Sequence, residues 1–438
     1  MGKDPIPSLL LRFILPAMAA SIASALYNII DRAFIGHCVG TAGLAAVSVV
    51  FPIVLTLLAF SSLAGTGTAS QVSRYLGEGD AERAHAAFDT CVTASLIAVL
   101  SASAALWLWT DGVIALCGGS GQIASLTRVY LRILIPFMPA QFLSLVLMAC
   151  LRAQGRPAPA MWGSVLGSLV NVALDWLFIV RMDMGIAGAA WGTAAAQAFC
   201  FVWVCVPFVR RTGELDFRSL RARIVVARLC EMCEVGASPF LVNMFFSVMM
   251  AIYNIQLKKY GGELALSAMG VFFGVDALLY MPITGLGEGS LPVMAYNYGA
   301  REYDRLKQAV RLSLLSSMAY FCCSLTVAEF CPEVLVAMFS RSDPELSALT
   351  AHFMRIGYCA LPLGAVSMVA GYIFEALGKA GLAFKLIVAR QILAYALLFV
   401  LPPLFGPDGV WYSLPAIDGL GGIVGGFMLA AQWKTWHD

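Results

Sequence analysis

The residues with the clearest chemical potential in this sequence are two acids that stand inside long apolar stretches, Asp31 and Asp175. Asn171 precedes Asp175 by four residues, and this spacing places both side chains on one face of a helix. The next apolar stretch contains Thr193. Carboxyl groups that are joined by amide and hydroxyl oxygens can share a proton or hold a hard monovalent cation such as Na+. The sequence therefore predicts a proton- or cation-coupling site formed by Asp31, Asn171, Asp175 and Thr193.

A secondary polar cluster is predicted beside these residues. Tyr27 and Asn28 lie four and three residues before Asp31, and Gln197 follows Thr193 at the same interval of four. At these spacings the side chains of a helix are neighbours. Three helices would therefore each present a small oxygen-rich face to the same site.

Simpler interpretations of the two acids remain open. Asp31 could pair with the adjacent Arg32 at the water interface, and Asp175 could make a purely structural hydrogen bond to a neighbouring helix. Against both stands the cost of about 2.5–3.5 kcal/mol for a charged side chain at the bilayer centre, which makes intramembrane acids functional candidates.

The composition indicates which elements must position these residues. Of the 438 residues, 60% are hydrophobic and only 12% are charged, whereas a soluble domain carries about 25% charged residues. In lipid the backbone requires helices or a closed barrel, and the strict alternation of barrel strands is missing from the sequence. The balance of 28 basic against 26 acidic residues argues against a nucleic-acid partner. We therefore predict an all-α membrane protein whose surroundings are the lipid bilayer.

Long apolar runs that are separated by charged residues, Gly and Pro predict twelve transmembrane helices, because each span needs about 20 apolar residues. The predicted ranges are 12–36, 44–72, 85–109, 125–153, 158–181, 186–209, 228–257, 264–296, 307–331, 347–376, 382–403 and 410–433.

Basic residues beside the helix ends predict the orientation, because Lys and Arg accumulate on the cytoplasmic side of a membrane. A cluster of arginines, from Arg210 to Arg228, lies between the sixth and seventh predicted helices. No cleavable signal peptide is expected, since the first apolar run continues as a full-length span. We predict a multi-pass protein of the prokaryotic plasma or inner membrane with both termini in the cytoplasm.

The chain repeats itself at mid-length. Sliding the sequence along itself by about half its length aligns Gly67 with Gly289, and a shift longer by one position aligns Pro139 with Pro362. Two halves with six crossings each must point the same way, which predicts two six-helix bundles related by a pseudo-twofold axis along the membrane normal. The predicted domains are residues 1–209, a cytoplasmic linker 210–227 and residues 228–438. Such symmetry is typical of alternating access, although a duplication without mechanical meaning remains the simpler alternative.

The second half lacks the predicted coupling residues. In the register of the repeat, Asp31, Asn171 and Asp175 correspond to Asn254, Ala394 and Leu398. If the polar groups only held a bundle together, both copies would need them. The difference favours a coupling site that is confined to the first bundle.

The second half has a different polar set, consisting of Asp276, Glu375, Arg390 and Asp418. In one interpretation these residues line a substrate cavity whose negative charge attracts cations. In the other, Arg390 only neutralises one of the acids.

Pro16 lies in the same predicted helix as Asp31 and removes a backbone hydrogen bond there, which predicts a hinge.

Motifs of soluble catalysis, HExxH, GxSxG and the phosphate-binding GxxxxGK[ST], are missing from the sequence. We therefore expect neither an enzyme with catalytic residues nor a bound cofactor or resident metal. Transport would be driven by a gradient of protons or Na+ rather than by nucleotide hydrolysis.

Three segments carry a resemblance to a known family. They read LPAMAASIASALYNIIDRAFIGHCVG from residue 15, GSLVNVALDWLFI from residue 167 and GLGEGSLPVMAYNYGAREYDRLKQA from residue 285. In these segments the chain resembles the multidrug and toxic compound extrusion (MATE) transporters, and their prokaryotic DinF-like branch in particular. The resemblance runs nearly from end to end of the chain.

The resemblance implies a V-shaped pair of six-helix bundles and proton- or sodium-coupled antiport of amphipathic, often cationic, organic compounds. It also implies coupling roles for Asp31, Asn171, Asp175 and Thr193, and a bend at Pro16. Two residues depart from the family pattern, Arg32 beside Asp31 and a Glu at position 375 where a Gln is common.

We expect a monomer that acts on small amphipathic molecules. A flippase for lipid-linked or polyisoprenoid substrates is an alternative within transport, although such a protein is expected to line its cavity with several arginines. A membrane receptor or interaction protein is an alternative of another class, and it would not depend on the buried acids.

Overall fold

The computed structural model describes residues 4–39, 41–117, 121–217, 225–337 and 344–436. Within some helices, including the stretch that carries Asn28 and Arg32, individual side chains lie outside the description. The described part of the chain is helical between short connections. Its helices are α1 (Ile6–Cys38), α2 (Thr41–Gly77), α3 (Ala81–Leu108), α4 (Thr110–Leu116), α5 (Gly121–Leu134), α6 (Met138–Ala153), α7 (Pro157–Asp175), α8 (Gly185–Val209), α9 (Val226–Gly299), α10 (Tyr303–Phe330), α11 (Pro332–Ala337), α12 (Pro344–Tyr358), α13 (Leu361–Ala376), α14 (Ala380–Val400), α15 (Pro402–Phe405) and α16 (Pro407–Trp433).

The predicted all-α membrane architecture of twelve helices is confirmed. Ten stretches of the described residues are long and apolar enough to cross a membrane. An eleventh span is the pair α12 and α13, which meet at a bend of 55°. The predicted helix 264–296 forms the second part of α9, which is broken at Gly262. Gly262 has a φ of 71°, a conformation that a residue without Cβ adopts at little cost.

The chain divides into two compact units. One consists of residues 1–14 and 241–438, and the other of residues 15–240. We call the first the C-unit and the second the N-unit. The first turns of α1 therefore belong to the C-unit, and the first turns of α9 belong to the N-unit. The predicted domain boundaries at residues 209 and 228 stay a prediction.

The two divisions fall beside equivalent prolines. Pro16 follows the first division within α1, and Pro239 precedes the second within α9. The shift that aligns Pro139 with Pro362 also aligns these two prolines. Both helices thus pass from one unit into the other at a position where a backbone hydrogen bond is lost.

Within the N-unit, the start of α9 packs directly on α2. A Cβ on Gly67 would overlap the backbone of Met232, and a Cβ on Gly236 would overlap the backbone of Leu63. Arg74 of α2 forms an ion pair with Glu231 at the same contact. Close backbone approach of this kind is how small residues join helices in a membrane.

The repeat places the same contact in the C-unit. A Cβ on Gly289 would lie 2.8 Å from the backbone of Phe13 and from Cα of Ile14. The paired glycines that the repeat aligns, Gly67 and Gly289, therefore each receive the first turns of a helix whose remainder belongs to the other unit. This contact explains why glycine occurs at both positions.

We expect Gly236→Ala to lower the free energy of unfolding by about 1–3 kcal/mol, because the added methyl group overlaps the Leu63 backbone, which cannot move aside. The measurement is the thermal midpoint of the purified protein in detergent. Gly371→Ala is the matched control, since nothing lies within 4 Å of a Cβ at that position in α13. Equal midpoints for the two variants would contradict the packing described here.

Candidate functional site

The two predicted coupling acids meet in the N-unit. Asp175 is the last residue of α7 and is 0% exposed, and Asp31 on α1 is 8% exposed. Their carboxyl groups are close enough to interact electrostatically. Two buried acids this close repel each other when both are ionised, so each disfavours ionisation of the other.

The predicted amide and hydroxyl partners lie at the same place. Asn171 is 2% exposed, one turn before Asp175 on α7. Its Nδ2 donates a hydrogen bond to Oγ1 of Thr193 on α8 at 3.5 Å. The structure therefore brings together all four predicted residues, from α1, α7 and α8.

Sequence analysis missed a fifth member of this group, Tyr130. It lies on α5, is 5% exposed, and is close to Thr193. It is also close enough to both carboxyl groups to interact with them electrostatically. A tyrosine in an apolar helix is common, and no spacing pattern connects this one to residues on α7 or α8, so the sequence carries no signal for it.

The structure describes two of the three side chains of the predicted secondary polar cluster. Tyr27 is half-buried on α1, one turn before Asp31, and interacts with Tyr130. Gln197 is half-buried on α8, one turn after Thr193. The side chains of Asn28 and Arg32 lie outside the described residues, and with them the predicted alternative of an ion pair between Asp31 and Arg32.

In the C-unit the structure joins three of the four predicted polar residues. Nη2 of Arg390 on α14 lies 3.0 Å from Oδ1 of Asp418 on α16, and Nη1 donates to Oγ of Ser367 at 2.6 Å. Asp276 on α9 accepts a hydrogen bond from the Tyr358 hydroxyl at 3.1 Å.

Asp276 and Asp418 are close enough to repel each other. This half-buried group therefore contains two acids and one Arg. Asp418 is the acid with which Arg390 forms an ion pair.

Glu375 lies apart from this group along α13. It is buried, eight residues beyond Ser367, which is about 12 Å at the helical rise of 1.5 Å per residue. The positions in the C-unit that correspond to Asn171 and Asp175, Ala394 and Leu398, are both buried apolar side chains.

Duplicated helical units with polar groups enclosed by apolar helices define a multi-span membrane protein of the transporter class. The MatE family model matches this chain twice, over residues 16–177 and 239–400. The chain belongs to the MatE family. The starts and the ends of the two matches are offset by the same shift, the one that aligns Pro139 with Pro362, which confirms the register of the internal repeat.

Relatives of known name are similar over nearly the whole chain. The multidrug export protein MepA of Staphylococcus haemolyticus is 28% identical over 405 residues, 92% of this chain and 89% of that protein. The solved structure of the MATE multidrug transporter DinF-BH is 28% identical, with a TM-score of 0.90 over 99% of this chain and 97% of that one. A crystal structure of a MATE protein in the straight conformation has a TM-score of 0.93 at 22% identity over 99% and 97% of the chains, and shows the shared fold.

Proposed function

We propose that this protein is a proton-coupled antiporter that exports amphipathic cationic organic compounds by alternating access. It would act as a monomer in the prokaryotic plasma or inner membrane, with both termini in the cytoplasm. Its MepA relatives are multidrug export proteins, and DinF-BH is a multidrug transporter. Family membership supports transport, and the buried site supports the coupling.

One observation carries the choice of coupling ion. Asp31 and Asp175 interact electrostatically while both are almost fully buried. Two ionised carboxylates in that geometry would repel each other strongly, whereas a shared proton converts the repulsion into a hydrogen bond. Na+ remains the alternative coupling ion, since Asn171 and Thr193 supply further oxygens, and the experiment below separates the two.

Entry of a proton from outside would neutralise the pair and release the hydrogen bonds that the charged form attracts. The hydrogen bond between Asn171 and Thr193 belongs to the same group of residues, as does Tyr130 close to Thr193, and both would rearrange with the pair. Pro16 lies about four helical turns before Asp31 on α1, beside the point where this helix passes from the C-unit into the N-unit. We place the hinge of the cycle there, because the missing backbone hydrogen bond lowers the cost of bending.

The polar group of the C-unit would attract the cationic part of a substrate. Arg390 pairs with Asp418, which leaves Asp276, held by the Tyr358 hydroxyl, as a second acid that a cation can approach. Glu375 adds a further acid along α13. The flippase alternative requires several arginines facing a cavity, whereas Arg390 is engaged with Asp418 and Ser367.

The test is transport of the cationic dye rhodamine 6G by the purified protein in liposomes. We expect an imposed pH gradient at equal Na+ to drive dye against its concentration gradient, and a Na+ gradient at equal pH to leave it unmoved. Movement with Na+ alone would replace the proton by sodium. Failure of both gradients to move this dye or other cationic dyes would overturn the antiport proposal and favour a receptor or interaction protein.

A further inference from the structure

Asp175 lies on a tightly packed contact between α7 and α8. Residues 163, 167, 171 and 175 share one face of α7 at intervals of four. On this face a Cβ at Gly167 would lie 3.4 Å from Cβ of Cys200, and Asn171 bonds to Thr193. The coupling acid therefore continues a row of residues at which the two helices approach closely, as small residues allow in a membrane.

Gly192 of α8 lies directly under the Asp175 carboxyl group. A Cβ built on Gly192 would overlap Oδ1 of Asp175 and would lie 3.3 Å from its Cγ and 3.4 Å from its backbone nitrogen. The carboxyl group packs against the backbone of α8. A side chain at position 192 would occupy the same space. Thr193, the next residue, contributes the hydroxyl to the same site.

The backbone also changes at Asp175. The α-helix ends at this residue and a π-helical segment, Trp176–Arg181, follows it directly. In this segment the Met182 nitrogen donates to the Leu177 oxygen at 3.0 Å, five residues back. π-Helical turns are rare and are frequent at functional sites, where the wider turn redirects side chains.

A second glycine of α8 receives this wider turn. A Cβ on Gly188 would lie 3.0 Å from the backbone of Phe178. Gly188 and Gly192 are one turn apart, so α8 offers bare backbone both to the π-helical turn and to the carboxyl group that precedes it.

We propose that Gly192 is a positioning residue of the coupling site. Because glycine has no side chain, it leaves room for the Asp175 carboxyl group to lie close to Asp31. This inference rests on the proposed function and names a residue of α8 that acts through Asp175. A methyl group at position 192 would overlap Oδ1 of Asp175 and so force the carboxyl group away from its place against α8. A shift of about 1 Å in a reacting group can reduce a rate on the order of 100-fold.

The experiment compares Gly192→Ala, Gly167→Ala and Asp175→Asn as full chains in liposomes, with rhodamine 6G as the probe. Gly167→Ala is the matched control, because it lies on the same helix contact and has room for a Cβ. We expect Gly192→Ala to lose at least about tenfold in gradient-driven transport and to shift the pH at half-maximal rate. Its thermal midpoint and its dye binding in detergent should match those of Gly167→Ala.

Four outcomes decide the matter. A wild-type rate and pH profile in Gly192→Ala, with Asp175→Asn inactive, would overturn the positioning role alone. A loss of transport that is matched by loss of thermal stability and dye binding would reduce Gly192 to a packing residue. A loss of transport in Gly192→Ala with an unchanged pH profile and unchanged stability would show that Gly192 does not act through the acid. An active Asp175→Asn would overturn the coupling site itself.

A second variant keeps the proposal testable if Gly192→Ala does not fold. Asp175→Glu moves the carboxyl group outward by one methylene while keeping it titratable, so it can no longer rest on Gly192. We expect a shifted pH profile in this variant. An unchanged profile would show that the fit between Gly192 and Asp175 does not set the site.

Discussion

Asp175→Asn should abolish proton-driven transport, with a loss on the order of 100-fold or more in the rate at which an imposed pH gradient accumulates dye. Asn has nearly the shape of Asp, so the packing against Gly192 is kept. What is lost is the group that takes up and releases the proton in the proposed mechanism, where it acts together with Asp31. Asp31→Asn should have the same effect, and the double variant should be no worse than either single one, because the two acids titrate as one unit.

Asp89→Asn is the matched control for this prediction. Asp89 is also a buried acid of the N-unit, but it lies on α3 next to Phe88 and near Cys91. Those two residues belong to a different apolar cluster from that of Tyr130, which interacts with the coupling pair. We expect Asp89→Asn to keep its response to the pH gradient. Equal losses in Asp89→Asn and Asp175→Asn would mean that any buried acid matters only for folding.

The arrangement of the coupling site is accessible from the sequence where spacing along one helix decides it. Asn171 and Asp175 share a face because they are four residues apart, and α7 is a regular helix up to Asp175. The meeting of three helices at Asp31, Asp175 and Thr193 follows from the family resemblance, since no periodicity relates residues on separate helices. The roles of these residues stay a prediction, whereas their proximity is now a structural fact.

Two residues of the site are beyond the reach of sequence patterns, for different reasons. Tyr130 reaches Thr193 from α5, a contact set by the packing of helices that are distant along the chain. Gly192 matters because it has no side chain. In a helix rich in glycine and alanine, no sequence pattern distinguishes this glycine from the others. The sequence also predicts plain helix after Asp175, because a π-helical turn differs in its hydrogen bonds and not in composition.

The internal repeat can be recognised in the sequence. The sequence does not show that the first turns of α1 and α9 belong to a different unit from the rest of each helix. The aligned prolines define a register that the family model confirms. That Gly67 and Gly289 each receive the first turns of a helix continuing in the other unit is a property of the folded chain. The equivalent positions of Pro16 and Pro239 indicate that the crossing of α1 and of α9 from one unit into the other has a common origin. The acid pair, in contrast, occurs in one copy of the repeat.

Arg390→Met should destabilise the C-unit by about 1–3 kcal/mol, the cost of leaving a half-buried charge without its partner. Asp418 would lose its ion pair at 3.0 Å while remaining close to Asp276. Ser367 would lose its partner as well. We expect a lower thermal midpoint in detergent and less folded protein in the membrane. Arg132→Met on α5 is the control, because that arginine is exposed and should cost little.

The double variant Arg390→Met with Asp418→Asn separates the two interpretations of this group. Removing both charges leaves no unpaired ion, so stability should return to near the wild-type value. If the pair serves only to hold α14 against α16, dye transport should return with it. A stable double variant that binds dye weakly would instead show that the charges of this unit contact the substrate. Persistent instability of the double variant would contradict the ion-pair account, because the loss would then come from the packing of the arginine side chain rather than from an orphaned Asp418.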